Sequence, residues 1–366
     1  MLQNSRSNAE LYCFMGIMVV SGSLTTVSNK MQQETDSLGK RYHHVWFVVF
    51  YMFLGKLLCG FLYLLLKIFK DNSTLLNKNA YLSDTQPTSI SPFLLAIPML
   101  CDFAGSTIQI FGLTMVPGSV YQIFRGSLVI FTALLSVFFL KAKLYIQHYL
   151  GILFVVLGLI LVGLSMEYFS NERSNNFAMS QKDGDPVFGI FLVILGQFFS
   201  AGQYVIEEKL IKNSSCHPLK VVGIEGMWGT LVSFVVLTIL NYVKCDPESE
   251  LTQVICSEND SNEWRGEDLL FALRQLQNDG SLCCWAVAYL LSISVCNYTG
   301  ITITKYVASS NRTMVDVMKN ALVWSFFLMP FLDECIRESF SYLHLIGFLT
   351  LSLGTIIYNK LNKKND

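Results

Sequence analysis

The chain alternates long apolar runs with shorter polar ones. Ten apolar windows of the length a bilayer span needs, about 20 residues, fall at roughly 11–30, 45–67, 92–114, 118–140, 146–166, 187–208, 220–241, 282–304, 311–331 and 341–359. The connections are short except 69–91, 167–186 and 242–281, which are rich in Asn, Ser, Asp and Gln, as solvated loops are. The pattern predicts an all-α membrane protein of ten transmembrane helices. The first run, Leu11 to Val27, lacks a basic flank and a small-residue cleavage site, so it reads as a retained span.

Composition agrees with a bilayer solvent, since 52% of the 366 residues are hydrophobic and only 14% charged. A net charge of -1, with no basic patch interleaved with aromatics, excludes a nucleic-acid partner. Ten cysteines without a CxxC pair read mainly as small packing residues. There is no nucleophile–base arrangement, phosphate loop or metal-ligand cluster, so neither an enzyme nor a cofactor or metal is expected.

Orientation follows the Lys and Arg residues near span ends. The amino terminus, the even-to-odd loops and the carboxy terminus hold 14, including Lys141, Lys209 and Arg312; the opposite loops hold 9, including Lys30 and Arg41. Both termini are therefore expected in the cytosol. Lys56, Arg125 and Lys319 remain inside spans with Asp102, Glu225 and Asp316, and charges inside a membrane mark functional sites by default.

The two halves echo each other. Cys101-Asp102-Phe103-Ala104-Gly105-Ser106-Thr107 in the third window aligns with Cys296-Asn297-Tyr298-Thr299-Gly300-Ile301-Thr302 in the eighth. Gln122 and Arg125 match Asp316 and Lys319, and Gly151 and Gly158 match Gly347 and Gly354. The unit is five helices, an odd number, so the second copy enters the membrane from the other side. Such inverted repeats place substrate near the midplane between halves. Asp102, Gly105 and Gln109 share one helical face, as do Asn297, Gly300 and Thr304. These faces either line a shared cavity or pack helices closely.

These residues resemble the drug/metabolite transporter superfamily, and within it the F-type branch of the solute carrier 35 family, which is similar to nucleotide-sugar transporters. The matching stretches are "GSLTTVSNK", "IPMLCDFAGST", "YQIFRGSLVIFTALLSVFFLKAKL", "GILFVVLGLILVGL", "EEKL", "HPLKVVGIEGMWG" and "IGFLTLSLGTIIYN". A more distant likeness is to chloroquine-resistance-transporter-like proteins, which have a cysteine-bearing loop between spans seven and eight. The resemblance implies a 5+5 fold and a carrier of small organic solutes. Where similar sequences commonly carry a glutamate in the second span, this chain has Lys56, which implies a changed preference for substrate charge.

The candidate substrate-binding residues are Lys56, Asp102, Gln109, Gln122, Arg125, Asn297, Thr304 and Lys319. The Arg125 fork suits a carboxylate or phosphate, or else it balances Asp102. Glu225 lies beside the small-residue strip Gly223, Gly226, Gly229 and is the candidate proton-coupling group. Glu207 and Glu208 read as a solvated helix cap beside Lys209, and His217-Pro218 as the start of a helix. In the 242–281 loop, Leu269, Leu270, Leu273 and Leu276 sit at helical spacing and predict an amphipathic helix on the lumenal membrane surface. Cys245 and Cys256 are expected to pair there, and Asn259 to be a glycosylation acceptor.

The expected organisation is a cytosolic segment 1–10, a first repeat 11–166, a lumenal linker 167–186, a second repeat 187–359 and a cytosolic tail 360–366. The partners are a small-molecule substrate and the lipid bilayer, with a homodimer left open. The expected function is a secondary-active transporter; the alternative is a non-transporting adaptor or receptor. Lys363-Lys364 resembles an endoplasmic-reticulum retrieval signal, and family likeness extends the expected address to Golgi, lysosome or vacuole.

Overall fold

A computed structural model describes residues 2–75, 90–116, 118–143, 145–173, 186–212, 214, 216–246, 256–258, 264–329 and 342–359. In hydrocarbon each backbone N–H and C=O must be bonded within its own segment, which selects helices. The helices are α1 (Leu2–Glu34), α2 (Val45–Leu75), α3 (Ala96–Met115), α4 (Gly118–Phe124), α5 (Leu128–Leu140), α6 (Ile146–Arg173), α7 (Pro186–Ile211), α8 (Pro218–Leu240), α9 (Leu269–Asn278), α10 (Gly280–Tyr306), α11 (Ser309–Phe327) and α12 (Tyr342–Asn359).

Among the described residues, seven segments are long and apolar enough to cross a bilayer: those of α1, α2, α3, the α4–α5 unit, α7, α8 and α10. The apolar parts of α6 and α12 are shorter, Ile146–Leu161 and Leu345–Tyr358. Helix α11 carries Arg312, Asp316 and Lys319 in its first three turns. The chain is thus an all-α membrane protein in which one polar-rich helix, α11, holds three buried charges.

Local chemistry sets the helix ends. His217 caps α8 by accepting the Leu219 N–H on Nδ1 at 3.2 Å, with Pro218 in the first turn. Asp268 caps α9 through the Phe271 N–H at 3.0 Å. Asp279 caps α10 at the Ser281 N–H, 2.8 Å away; hydrogen bonds from the Ser281 side chain and backbone and from the Leu282 N–H hold its carboxyl below the usual range. Between α4 and α5 the chain tightens into one 3-10 turn, Arg125–Ser127. A Cβ on Gly126 there would come 2.4 Å from Leu351 Cδ1, so the side chain of Leu351 on α12 packs directly over the break.

The closest packing joins α1 with α10, α3 with α7, α2 with α8 and α6 with α12, while the α4–α5 unit packs on both α7 and α11 and α11 also on α1. Glycines bring several of these backbones together. A Cβ on Gly151 would meet the Gly354 carbonyl at 2.7 Å, and one on Gly158 the Gly347 carbonyl at 2.7 Å. In the α2–α8 pair, a Cβ on Gly223 would lie 2.3 Å from Gly60 Cα.

At one end of the bundle, strands β1 (Asp36–Ser37) and β2 (Lys40–Arg41) pair antiparallel, as do β3 (Ser257–Glu258) and β4 (Trp264–Arg265). Cys245 and Cys256 form a disulfide beside them. Glu267 accepts the N–H groups of Trp46 at 3.1 Å and Phe47 at 3.3 Å, which begin α2. His44 bridges Glu267 at 2.5 Å and the Gln275 side chain at 3.0 Å.

Several expectations are corrected. Glu207 and Glu208 are buried, not solvated, because α11 brings Arg312 and the Ser309 N–H and hydroxyl to them. Lys30 and Arg312, assigned to loops, are buried inside helices; Lys30 donates to the last carbonyls of α3, Leu113 and Val116, and pairs with Glu34 at 3.0 Å. Removing both changes the basic-residue balance to 13 against 8 without reversing it. Helix α6 runs to Arg173, past the expected boundary at 167. On α9, Phe271, Ala272 and Gln275 are buried and Leu269 and Leu276 pack partly buried beside the same core, while Leu270 and Leu273 face outward, so the expected amphipathic helix is present with its leucine stripe split between the two faces. Asn259, Lys363 and Lys364 lie outside the described residues.

Candidate substrate cavity

A cavity of about 100 Å³ opens among α1, α3, α4, α7, α10 and α11. Asp102, Gln109, Arg125, Asn297 and Lys319, drawn from both halves of the chain, line it together. Asp102 and Asn297, which align in the sequence, therefore face one space. Gln122, Thr304 and Lys56 are buried but do not line it. Gln122 is fully enclosed, its amide without a hydrogen-bond partner among the described residues, while its backbone carbonyl accepts from Asn320 at 2.8 Å. Thr304 turns back to the Gly300 carbonyl at 3.0 Å. Lys56 stands behind the wall on Asp102, with Glu225 4.0 Å away.

Buried charge survives only when balanced, and most of it here is paired. Arg312 donates to Glu207 at 2.5 Å, and Lys319 to Asp316 at 2.5 Å. Tyr204 joins the two pairs: its ring lies under the Arg312 guanidinium at 3.6 Å, and its hydroxyl donates to Asp316 at 2.7 Å. Asp102 takes Lys56 on one oxygen and the Ser106 hydroxyl, 3.1 Å away, on the other. The balancing role the sequence offered for Arg125 at Asp102 thus belongs to Lys56.

Two charged groups stand apart. Half-buried Arg125 has no carboxylate within ion-pair distance among the described residues; it stacks on Tyr121 at 5.5 Å and reaches the Thr26 hydroxyl at 3.5 Å. It sits in the 3-10 turn between α4 and α5, and broken helices recur at carrier substrate sites. Glu225 is fully buried and neither carboxylate oxygen has a hydrogen-bond partner among the described residues.

Gln109 is held by Ser200 at 2.8 Å and Gln197 at 2.7 Å, both on α7. Sequence reading missed α7 as a wall of the cavity, along with Tyr204 and Gln203. Their signal was a run of polar residues, Gln197, Ser200 and Gln203 through Glu207, at helical spacing in an apolar window.

Comparison with known proteins places the chain in a family. The profile of the nucleotide-sugar transporter family matches residues 6–248. Solute carrier family 35 member F6 of Rattus norvegicus is 31% identical over 356 residues, 95% of this chain and 88% of that protein, and the Homo sapiens protein of that name is 30% identical over the same shares. An uncharacterised protein of Schizosaccharomyces pombe, C12G12.12, is 28% identical over 95% of this chain and 97% of its own length. One protein crystal structure superposes at a TM-score of 0.53 with 10% identity, covering 97% of this chain and 98% of the other, a likeness of fold alone. A multi-pass integral membrane protein with these relatives is a transmembrane transporter and not an enzyme, and the chain belongs to the nucleotide-sugar transporter family, in the F-type branch of solute carrier 35.

Proposed function

We propose that this transporter is a secondary-active carrier of a small organic anion, working by alternating access between two inverted five-helix halves. The observation that carries the anion reading is Arg125, a half-buried cation on the cavity wall with no carboxylate at ion-pair distance among the described residues. A guanidinium fork binds carboxylate or phosphate at two points, and a carboxylate or phosphate entering the cavity would supply the missing counter-charge. At about 100 Å³ the cavity is smaller than the roughly 300–1,000 Å³ of sites for drug-sized ligands. A solute of nucleotide-sugar size therefore requires the helices to part.

The inverted-repeat reading, ten spans in halves 11–166 and 187–359 joined by 167–186, draws support from packing. If α1 to α6 are exchanged for α7 to α12 in order, counting α4–α5 as one span and leaving out α9, the pair α1–α10 becomes α7–α3, and α2–α8, α6–α12 and α4–α5 with α11 map onto themselves. The glycine contacts obey the same exchange: Gly151 on Gly354 becomes Gly347 on Gly158. Glu225 is the coupling candidate, because a sealed carboxylate without hydrogen bonds is suited to carry a proton. The disulfide in the 242–281 loop fits an oxidising lumen, and with the basic-residue balance it supports an endomembrane carrier with cytosolic termini.

The test is uptake into liposomes containing the purified protein, with nucleotide sugars, nucleotides, dicarboxylates, acidic peptides and cationic drugs as labelled probes. Anion uptake that disappears in Arg125→Gln is expected. Uptake of cations alone, or binding without movement, overturns the reading.

A further inference from the structure

Among the described residues, Lys56 is the one cation in ion-pair reach of both Asp102 and Glu225, two buried carboxylates. Asp102 opens onto the cavity; Glu225 is sealed behind it at the closest part of the α2–α8 packing, between Gly223 and Gly226. The lysine stands on Asp102, and Glu225 is left with both oxygens unbonded. One ammonium neutralises one carboxylate, and a second, uncompensated charge at full burial is costly. The remaining counter-charge must be small enough to reach a fully enclosed site, and a proton meets that condition.

We infer that Lys56 is a two-position switch: the trio holds one exchangeable proton, and whichever carboxylate carries it releases Lys56 to the other. In the state seen here the proton is on Glu225 and Lys56 pairs with Asp102. When the proton passes from Glu225 to Asp102, Lys56 crosses to Glu225; no proton enters or leaves the trio in this step, its charge is unchanged, and Asp102, on the cavity wall, is the member that exchanges its proton with the cavity. The other charged groups acting on Glu225 are Glu207 of α7 and Arg312 of α11, already paired with each other; α2 supplies Lys56, α3 supplies Asp102, and α10, also packed on α8, adds none among the described residues. The switch ties the protonation of a group the solvent cannot reach to the charge of the cavity wall. That ties proton movement to solute movement, a consequence that rests on the carrier reading, whereas the switch itself does not.

Infrared spectroscopy of the purified protein reads the proton directly, through the carbonyl band of a protonated carboxyl group. Wild type should show a band that Glu225→Gln removes, and Asp102→Asn should remove the same band, because Lys56 then ionises Glu225. A band untouched by Glu225→Gln, or persisting in Asp102→Asn, overturns the switch. Thermal unfolding gives an independent reading. Each single neutralisation leaves Lys56 a partner and should lower the unfolding temperature little, while Asp102→Asn combined with Glu225→Gln strands it and should lower it sharply. If Asp102→Asn alone falls as far as the double variant, or fails to fold, Lys56 serves Asp102 only and the inference fails. Liposome uptake is a separate measurement, so loss of the carrier reading would not be mistaken for loss of the switch.

Discussion

The Arg312 guanidinium lies 3.6 Å from the centre of the Tyr204 ring, and the hydroxyl of that ring donates to Asp316 at 2.7 Å. Tyr204 thereby ties two ion pairs, Arg312–Glu207 and Lys319–Asp316, across α7 and α11. Tyr204→Phe keeps the ring under Arg312 and removes only the hydroxyl. A hydrogen bond to a charged group is worth about 1.5–3 kcal/mol, so detergent-solubilised Tyr204→Phe should unfold at lower temperature by that order of destabilisation. Wild-type stability in this variant would mean that Lys319 alone satisfies Asp316.

Arg125 and Arg312 both line the cavity, Arg312 buried and Arg125 half-buried, and among the described residues only Arg312 has a carboxylate at ion-pair distance. Removing one member of a buried pair costs about 3–5 kcal/mol because the other charge is stranded. Arg312→Gln should therefore express poorly and unfold early. Arg125→Gln strands nothing and should fold close to wild type while losing anion uptake. Equal stability losses in the two variants, measured by thermal unfolding, would show that Arg125 is as structurally bound as Arg312.

Gly223 faces Gly60 so closely that a methyl group would come within 2.3 Å of backbone. Backbone cannot rotate aside as a side chain does, so Gly223→Ala must push α2 from α8, and overpacking of this kind costs about 1–3 kcal/mol. Gly16→Ala, where no atom lies within 4 Å, is the control and should leave stability unchanged. Thermal unfolding of the two variants side by side checks the contrast.

Much of this was legible in the chain because a membrane imposes a strict code. Spans of about 20 apolar residues announce themselves, and a charge inside one is conspicuous; hence Asp102, Arg125 and Lys319 were found, and the cavity gathers them. What failed was partnership. Lys56 and Arg125 are equally plausible mates for Asp102 along a sequence, and only the crossing of α2 and α3 decides between them. Arg312, Glu207 and Glu208 sit near window ends, where charge ordinarily means water; the contact of α7 with α11 removes that water. The leucine stripe of α9 is split for a related reason: the hairpin before α2 offers Gln275 polar partners at Ser37 and Lys40 and so turns a mixed face inward, with Leu269 and Leu276 packed on that side and Leu270 and Leu273 outward.

The last prediction concerns the clamp at the start of α2. Glu267 binds His44, the Trp46 and Phe47 N–H groups and, at 3.4 Å, the hydroxyl of Ser257, which directly follows the disulfide-bonded Cys256. A carboxylate at a helix amino terminus accepts otherwise unpaired N–H groups and faces the positive end of the helix dipole. Glu267→Gln replaces one acceptor oxygen by a donor and should cost about 1.5–3 kcal/mol. Cys245→Ser with Cys256→Ser opens a loop of sequence separation 11, worth roughly 3 kcal/mol. If the disulfide serves to hold the segment that presents Ser257 and Glu267 to α2, the two losses share a cause, and the triple variant should lose less than their sum. Thermal unfolding of the set gives the coupling, and strict additivity would show that disulfide and carboxylate stabilise the protein independently.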